Sequence, residues 1–111
     1  MKSAWLLREG EVLAALEVAE SREERMQGLL DRDGIAGAIL IRPARSVHTI
    51  GMQFTIDVAV CDDDLVVLRT LCLRPGRMTR PSLRGRCVIE AEHGAFDRWG
   101  LRPGDRLEIR E

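Results

Sequence analysis

At 111 residues the chain has room for one domain, residues 1–111, and no second. Hydrophobic residues make up 45% and the formal net charge is -1, which excludes an intrinsically disordered chain and a polyanion binder over the whole molecule. Aromatic residues are only 4%, with no Tyr, so the core rests on Val, Leu, Ile, Ala and Met, and no nucleic-acid stacking platform is expected.

In chain order, Ser3–Arg8 and Val12–Ala19 read as strands joined by the turn Glu9-Gly10-Glu11, an N-terminal hairpin. Ser21 followed by Glu24 is a capping box, and it predicts a short helix over residues 22–28, with Gly28 ending it and Met26, Leu29 and Leu30 turned inward. After the loop Asp31–Gly34, Ala36–Ile41 is an apolar strand, Pro43 interrupts, and Arg45–Ile50 is a further short strand. Met52–Cys61 alternates strictly. Met52, Phe54, Ile56, Val58 and Val60 fall on one face and Gln53, Thr55, Asp57, Ala59 and Cys61 on the other. The acidic turn Asp62–Asp64 leads into the apolar run Leu65–Leu73. A hairpin centred near Asp63 sets Cys61 opposite Leu65 and Cys72 opposite Phe54. A polar connection rich in Arg follows Arg74-Pro75-Gly76-Arg77. Then come a strand over Arg86–Ala91, a helical turn at Ala95–Trp99, a tight turn at Leu101–Asp105 and a last strand over Arg106–Ile109.

Many short strands with one short helix predict a mainly β fold, a small β-sandwich or barrel of jelly-roll type. No apolar run approaches the length of a membrane span, and Met1–Gly10 does not read as a signal peptide, so the expected setting is cytoplasmic. Three cysteines without C-x-x-C spacing form neither a disulfide framework nor a zinc knuckle, and all three, Cys61, Cys72 and Cys87, are expected as inert core residues. Trp5, Phe96 and Trp99 are expected to plug the core.

The order of these features resembles the domain of unknown function 192 family, a group of bacterial and archaeal proteins. The matching residues are Arg25 with Gly28-Leu29-Leu30, then Ile56-Asp57, Val66-Val67, Pro75, Val88-Ile89-Glu90 followed by Gly94, and the closing Gly104-Asp105. They run from about Val18 to Ile109. Many relatives carry a Phe-Trp-Met-Lys-Asn-Thr-like signature before the Asp. This chain has Val47-His48-Thr49-Ile50-Gly51-Met52 there and resembles a branch in which Val-His-Thr replaces the aromatic stretch. The resemblance implies a compact β-fold and no established reaction. Some relatives also carry a secretion signal or membrane anchor.

Several residues are candidates for chemistry. Ser46 and His48 share a face if the segment is extended, and with Asp57 they can be written as a Ser-His-Asp set, although no nucleophile elbow surrounds Ser46. The alternative for His48 is a structural role at a strand end. Asp57 and Glu90 each interrupt an apolar strand and each needs a partner, with Arg25, Arg45, Arg80 and Arg86 as candidates. As a pair they would do acid–base work or hold a metal with His48 or His93; otherwise they form structural ion pairs or sit exposed on a sheet. From Leu65 to Ile89 there is no Asp or Glu but there are six arginines, Arg69, Arg74, Arg77, Arg80, Arg84 and Arg86, read either as a basic face or as solvated loop residues.

The residues favour a binding module for a small polar or anionic ligand, with Ser46, His48, Thr49, Asp57, Arg80 and Glu90 as the ligand-binding set. An accessory protein-interaction module is the first alternative, and a hydrolase-like enzyme using His48 with Asp57 or Glu90 the second. No metal and no cofactor are expected, and no partner class beyond a small anionic ligand or another protein is indicated.

Overall fold

The computed structural model describes residues 1–111. It contains strands β1 (Lys2–Arg8), β2 (Glu11–Ala19), β3 (Ala38–Ile41), β4 (Ile56–Cys61), β5 (Val67–Leu73), β6 (Cys87–Glu92) and β7 (Glu108–Arg110), and helices α1 (Arg22–Gln27) and α2 (Ala95–Trp99). The strands form one seven-stranded sheet in the order β5-β4-β6-β3-β2-β1-β7. All neighbours pair antiparallel except β2 and β3, which run parallel and are joined across α1 as a parallel connection requires. An isolated bridge between Val66 and Arg106 draws the two ends of the sheet together at one corner. The fold is mainly β, as the sequence predicts, and the sheet is not closed into a barrel.

Local chemistry explains the first elements. Glu9 and Gly10 both have positive φ, 52° and 80°, the geometry of a two-residue hairpin turn between paired Arg8 and Glu11. The Ser21 hydroxyl accepts from the Glu24 amide at 3.1 Å, and the Glu24 carboxylate accepts from the Ser21 amide at 3.1 Å, closing the capping box that starts α1. Backbone amides of Ser21 and Glu20 hold the Glu24 carboxyl down at about 2. Gly28, at φ 46°, ends the helix.

Both faces of the sheet are covered. Ala4, Leu6, Leu16, Val18, Leu40, Ala59, Ile89 and Leu107 join Phe96 of α2 in the larger apolar cluster, the inside of the curl. On the outer face Ile39, Ile56, Val58, Val60 and Val88 pack under Leu29, Val47 and Met52. The alternation on β4 therefore separates two buried faces, not a buried face and a wet one.

Several details differ from the expectations drawn from the sequence. The strand predicted over Met52–Cys61 begins only at Ile56, because Gly51 turns at φ 84° and the Thr49 hydroxyl is tied to the Arg74 carbonyl at 2.6 Å. Arg45–Ile50 is likewise a loop, with a lone bridge from His48 to Met78. In the β4–β5 hairpin Asp62 accepts from the Asp64 and Val66 amides and Leu65 is left-handed at φ 63°, so the loop is longer than supposed. Cys61 consequently faces Val67, and Cys72 faces Asp57. Cys72 is exposed, while Cys61 and Cys87 are buried. Trp5 and Met26, both expected to face inward, are also exposed, whereas Phe96 is buried with its ring centroid 5.5 Å from that of half-buried Trp99.

Candidate functional site

β6 occupies the middle of the sheet between β4 and β3, and Glu90 on it is paired with Val58 on one side and Ile39 on the other. Its neighbours Ile89 and Ala91 point into the larger cluster, so by strand alternation Glu90 points to the outer face. There α1, Leu29–Leu30 and the Pro43–Met52 segment fail to meet over it and leave a cleft of about 460 Å³. Arg22, Arg25, Met26 and Gln27 line one wall, Ser46, Val47, His48 and Met52 the other, and Glu90 contributes to the lining between them.

The Glu90 side chain is only 4% exposed. It takes part in none of the side-chain hydrogen bonds or ion pairs of the molecule, and burial alone pushes its carboxyl up to about 7. Near neutrality it is therefore poised between a neutral acid that donates a hydrogen bond and a carboxylate that accepts one. Arg25 donates from Nη1 to the Pro43 carbonyl at 3.2 Å, which ties α1 to the opposite wall, and its Nε is buried without a partner. Both residues line one concavity: Arg25 Nε is a buried polar atom left without a partner, the kind a native interior normally satisfies, whereas the Glu90 carboxyl oxygens, unpaired within the protein, keep contact with solvent in the cleft.

The predicted residues divide among several places. Ser46, His48 and Glu90 line the cleft, and Ser46 and His48 are exposed at its edge. Thr49 is fully buried and structural, its hydroxyl accepting from the Arg77 amide at 2.9 Å. Arg80 is exposed and lies outside the cleft. Asp57 lies on the inner face, where its Oδ2 accepts from the Gly94 and Phe96 amides at 2.9 and 3.2 Å and starts α2. Asp57 and Glu90 are thus on opposite faces of one sheet and form no carboxylate pair. The Ser46-His48-Asp57 set is not assembled for the same reason, and the histidine ion-paired to Asp57 is His93, at 3.2 Å. None of Arg25, Arg45, Arg80 and Arg86 pairs with either carboxylate.

Arg22, Gln27 and Met52 were not singled out by the sequence reading, and Arg25 was, but only as a family residue and a carboxylate partner. The local signal for Arg22 and Arg25 existed, since the capping box fixes α1 and with it the face that carries them and Met26. What the sequence does not carry is where α1 crosses β6.

A family model for DUF192, described as "Uncharacterized ACR", matches residues 5–109. No curated protein matches the sequence. Two crystal structures share the fold. A protein of unknown function from Novosphingobium aromaticivorans DSM 12444 aligns with a TM-score of 0.76 at 16% identity, over 96% of this chain and 83% of that one. A protein described as a "putative transcription regulator" from Sinorhizobium meliloti 1021 aligns with a TM-score of 0.78 at 21% identity, over 96% of this chain and 92% of that one.

Proposed function

The chain belongs to the DUF192 family, and from that premise we propose that its 111 residues act as one small binding domain for a small polar or anionic ligand, seated in the cleft over Glu90. The observation that carries the reading is the Glu90 carboxyl, buried, without a partner and lining that cleft. A ligand with a matching hydrogen-bonding group would give that carboxyl the partner the protein itself does not supply. Arg22 and Arg25 lie on the helix wall and suit an anionic portion of the same ligand. The cleft volume falls within the range of small-molecule sites, roughly 300–1,000 Å³. The side chains of Ser46 and His48 make no hydrogen bond or ion pair with each other or with a carboxylate, so the geometry favours binding over a hydrolase-like reaction. Three unpaired thiols suit a reducing, cytoplasmic setting, which is part of the same proposal.

The test is a thermal-shift screen of polar and anionic metabolites on the native protein and on Glu90→Gln. A true ligand raises the native melting temperature, by an amount equivalent to about 2.7 kcal/mol at a hundred times its Kd, and loses most of that effect with Gln. If no compound stabilises the protein, or if stabilisation is equal in the variant, the Glu90 cleft is not the binding site.

A further inference from the structure

The inner face of the sheet carries a second cluster that the cleft does not use. Asp57 on β4 is directly opposite Cys72 on the edge strand β5. His93 follows β6, and its Nδ1 lies 3.2 Å from Asp57 Oδ1 and 3.3 Å from Cys72 Sγ. All three ligand-type atoms lie within 4.8 Å of one another. From this convergence we propose that Asp57, Cys72 and His93 form a binding site for a borderline-soft divalent cation of the zinc class.

The two contacts of His93 fall on the same ring nitrogen. That nitrogen carries at most one proton, so it can donate to the carboxylate or interact with the thiol, but a single proton does not satisfy both. A divalent cation that displaces the Cys72 thiol proton, and any proton on Nδ1, to solvent satisfies all three atoms at once. With metal–nitrogen and metal–oxygen bonds of about 2.0–2.1 Å and a metal–sulfur bond of about 2.3 Å, a tetrahedral centre sets nitrogen about 3.3 Å from oxygen and about 3.6 Å from sulfur. The observed separations are close to those edges. Imidazole, thiolate and carboxylate are also the donor types this class of cation takes.

The outer shell is in place as well. Asp57 Oδ2 is fixed by the Gly94 and Phe96 amides, which leaves Oδ1 for the ion and holds the carboxylate plane. A shallow hollow of about 260 Å³, bordered by Thr70, Phe96 and Asp97, opens beside the three ligands and gives a fourth position to water or a ligand. Cys72 and the His93 ring are exposed, so an ion has a path in. The site lies across the sheet from the Glu90 cleft, and neither proposal depends on the other.

The experiment is a cobalt(II) titration of the reduced full chain, followed by absorption, with zinc competition. A thiolate-to-cobalt charge-transfer band should saturate at about one equivalent and be displaced by zinc. Cys72→Ser should abolish the band, and both Cys72→Ser and His93→Gln should weaken zinc binding at least about tenfold. Because both side chains are exposed, the metal-free variants should melt with the native protein, which separates lost binding from lost folding. Absence of the band in the native protein, its persistence in Cys72→Ser, or zinc affinity indifferent to His93→Gln would each overturn the proposal.

Discussion

The Glu90 carboxyl sits at about 7 against an ordinary value near 4.5, with burial as the cause. The folded protein therefore holds a proton that the unfolded chain releases between those two values. Stability should fall as pH rises from about 4.5 to about 7 and then level off, a total of about 3 kcal/mol from this residue. Glu24 works in the opposite direction and in another window. Its lowered value of about 2 means that its contribution is present above 4.5 and lost as the medium is acidified toward 2. Glu90→Gln, nearly isosteric and always neutral, should flatten the dependence between pH 5 and 8 and stabilise the protein at pH 8 by up to about 3 kcal/mol. Urea unfolding of both proteins at the two pH values measures this directly. Identical slopes in native and variant would mean that the carboxyl is solvated or paired in solution.

At the scale of the element, α1 is six residues long and too short to be stable by itself, so its ends decide whether it holds. Ser21→Ala removes one half of the capping box and should cost about 1 kcal/mol. Because α1 is a wall of the cleft, the same variant should increase hydrogen exchange at the Glu24 and Arg25 amides while β6 stays protected. Exchange unchanged at those amides would show that packing of Leu29 and the Arg25–Pro43 bond hold the helix without its cap. The elements that were legible in the sequence share this local character: the hairpin turn at Glu9-Gly10, the capping box, and the helical turn Ala95–Trp99 are each written within a few residues. The β4–β5 register was not legible, because it depends on how Asp62 folds the loop around Leu65. Of the residues that line the candidate cleft, Ser46, His48 and Glu90 are legible in the sequence, since a polar residue stands out against an apolar strand or an unusual loop. That Asp57 is excluded from their company depends on β4–β6 register, where Val58 and not Asp57 is opposite Glu90. One residue of slip would have put both carboxylates on one face.

Across the whole molecule, the two apolar clusters are not independent, because they use alternate residues of the same strands. Ile39 and Leu40 on β3, Val58 and Ala59 on β4, and Val88 and Ile89 on β6 belong to opposite faces yet share one backbone. Neither face can come apart without pulling the ladder from the other. The corner where Leu107 bonds its amide to the Leu65 carbonyl at 2.9 Å couples the two ends of the sheet in the same way. Leu29→Ala on the outer face and Leu107→Ala on the inner face should each cost about 2–5 kcal/mol, a large part of what a domain of this size has. Both should do so by shifting one cooperative transition. In a Trp5→Phe background Trp99, packed against the inner cluster, reports that face by fluorescence, while far-ultraviolet circular dichroism reports the sheet as a whole. The two curves should superimpose in the native protein and in both variants. A Leu29→Ala protein whose dichroism changes before its Trp99 signal would mean that the outer layer, with α1 and the Glu90 cleft, melts alone, and that the cleft rests on a looser layer than the shared strands imply.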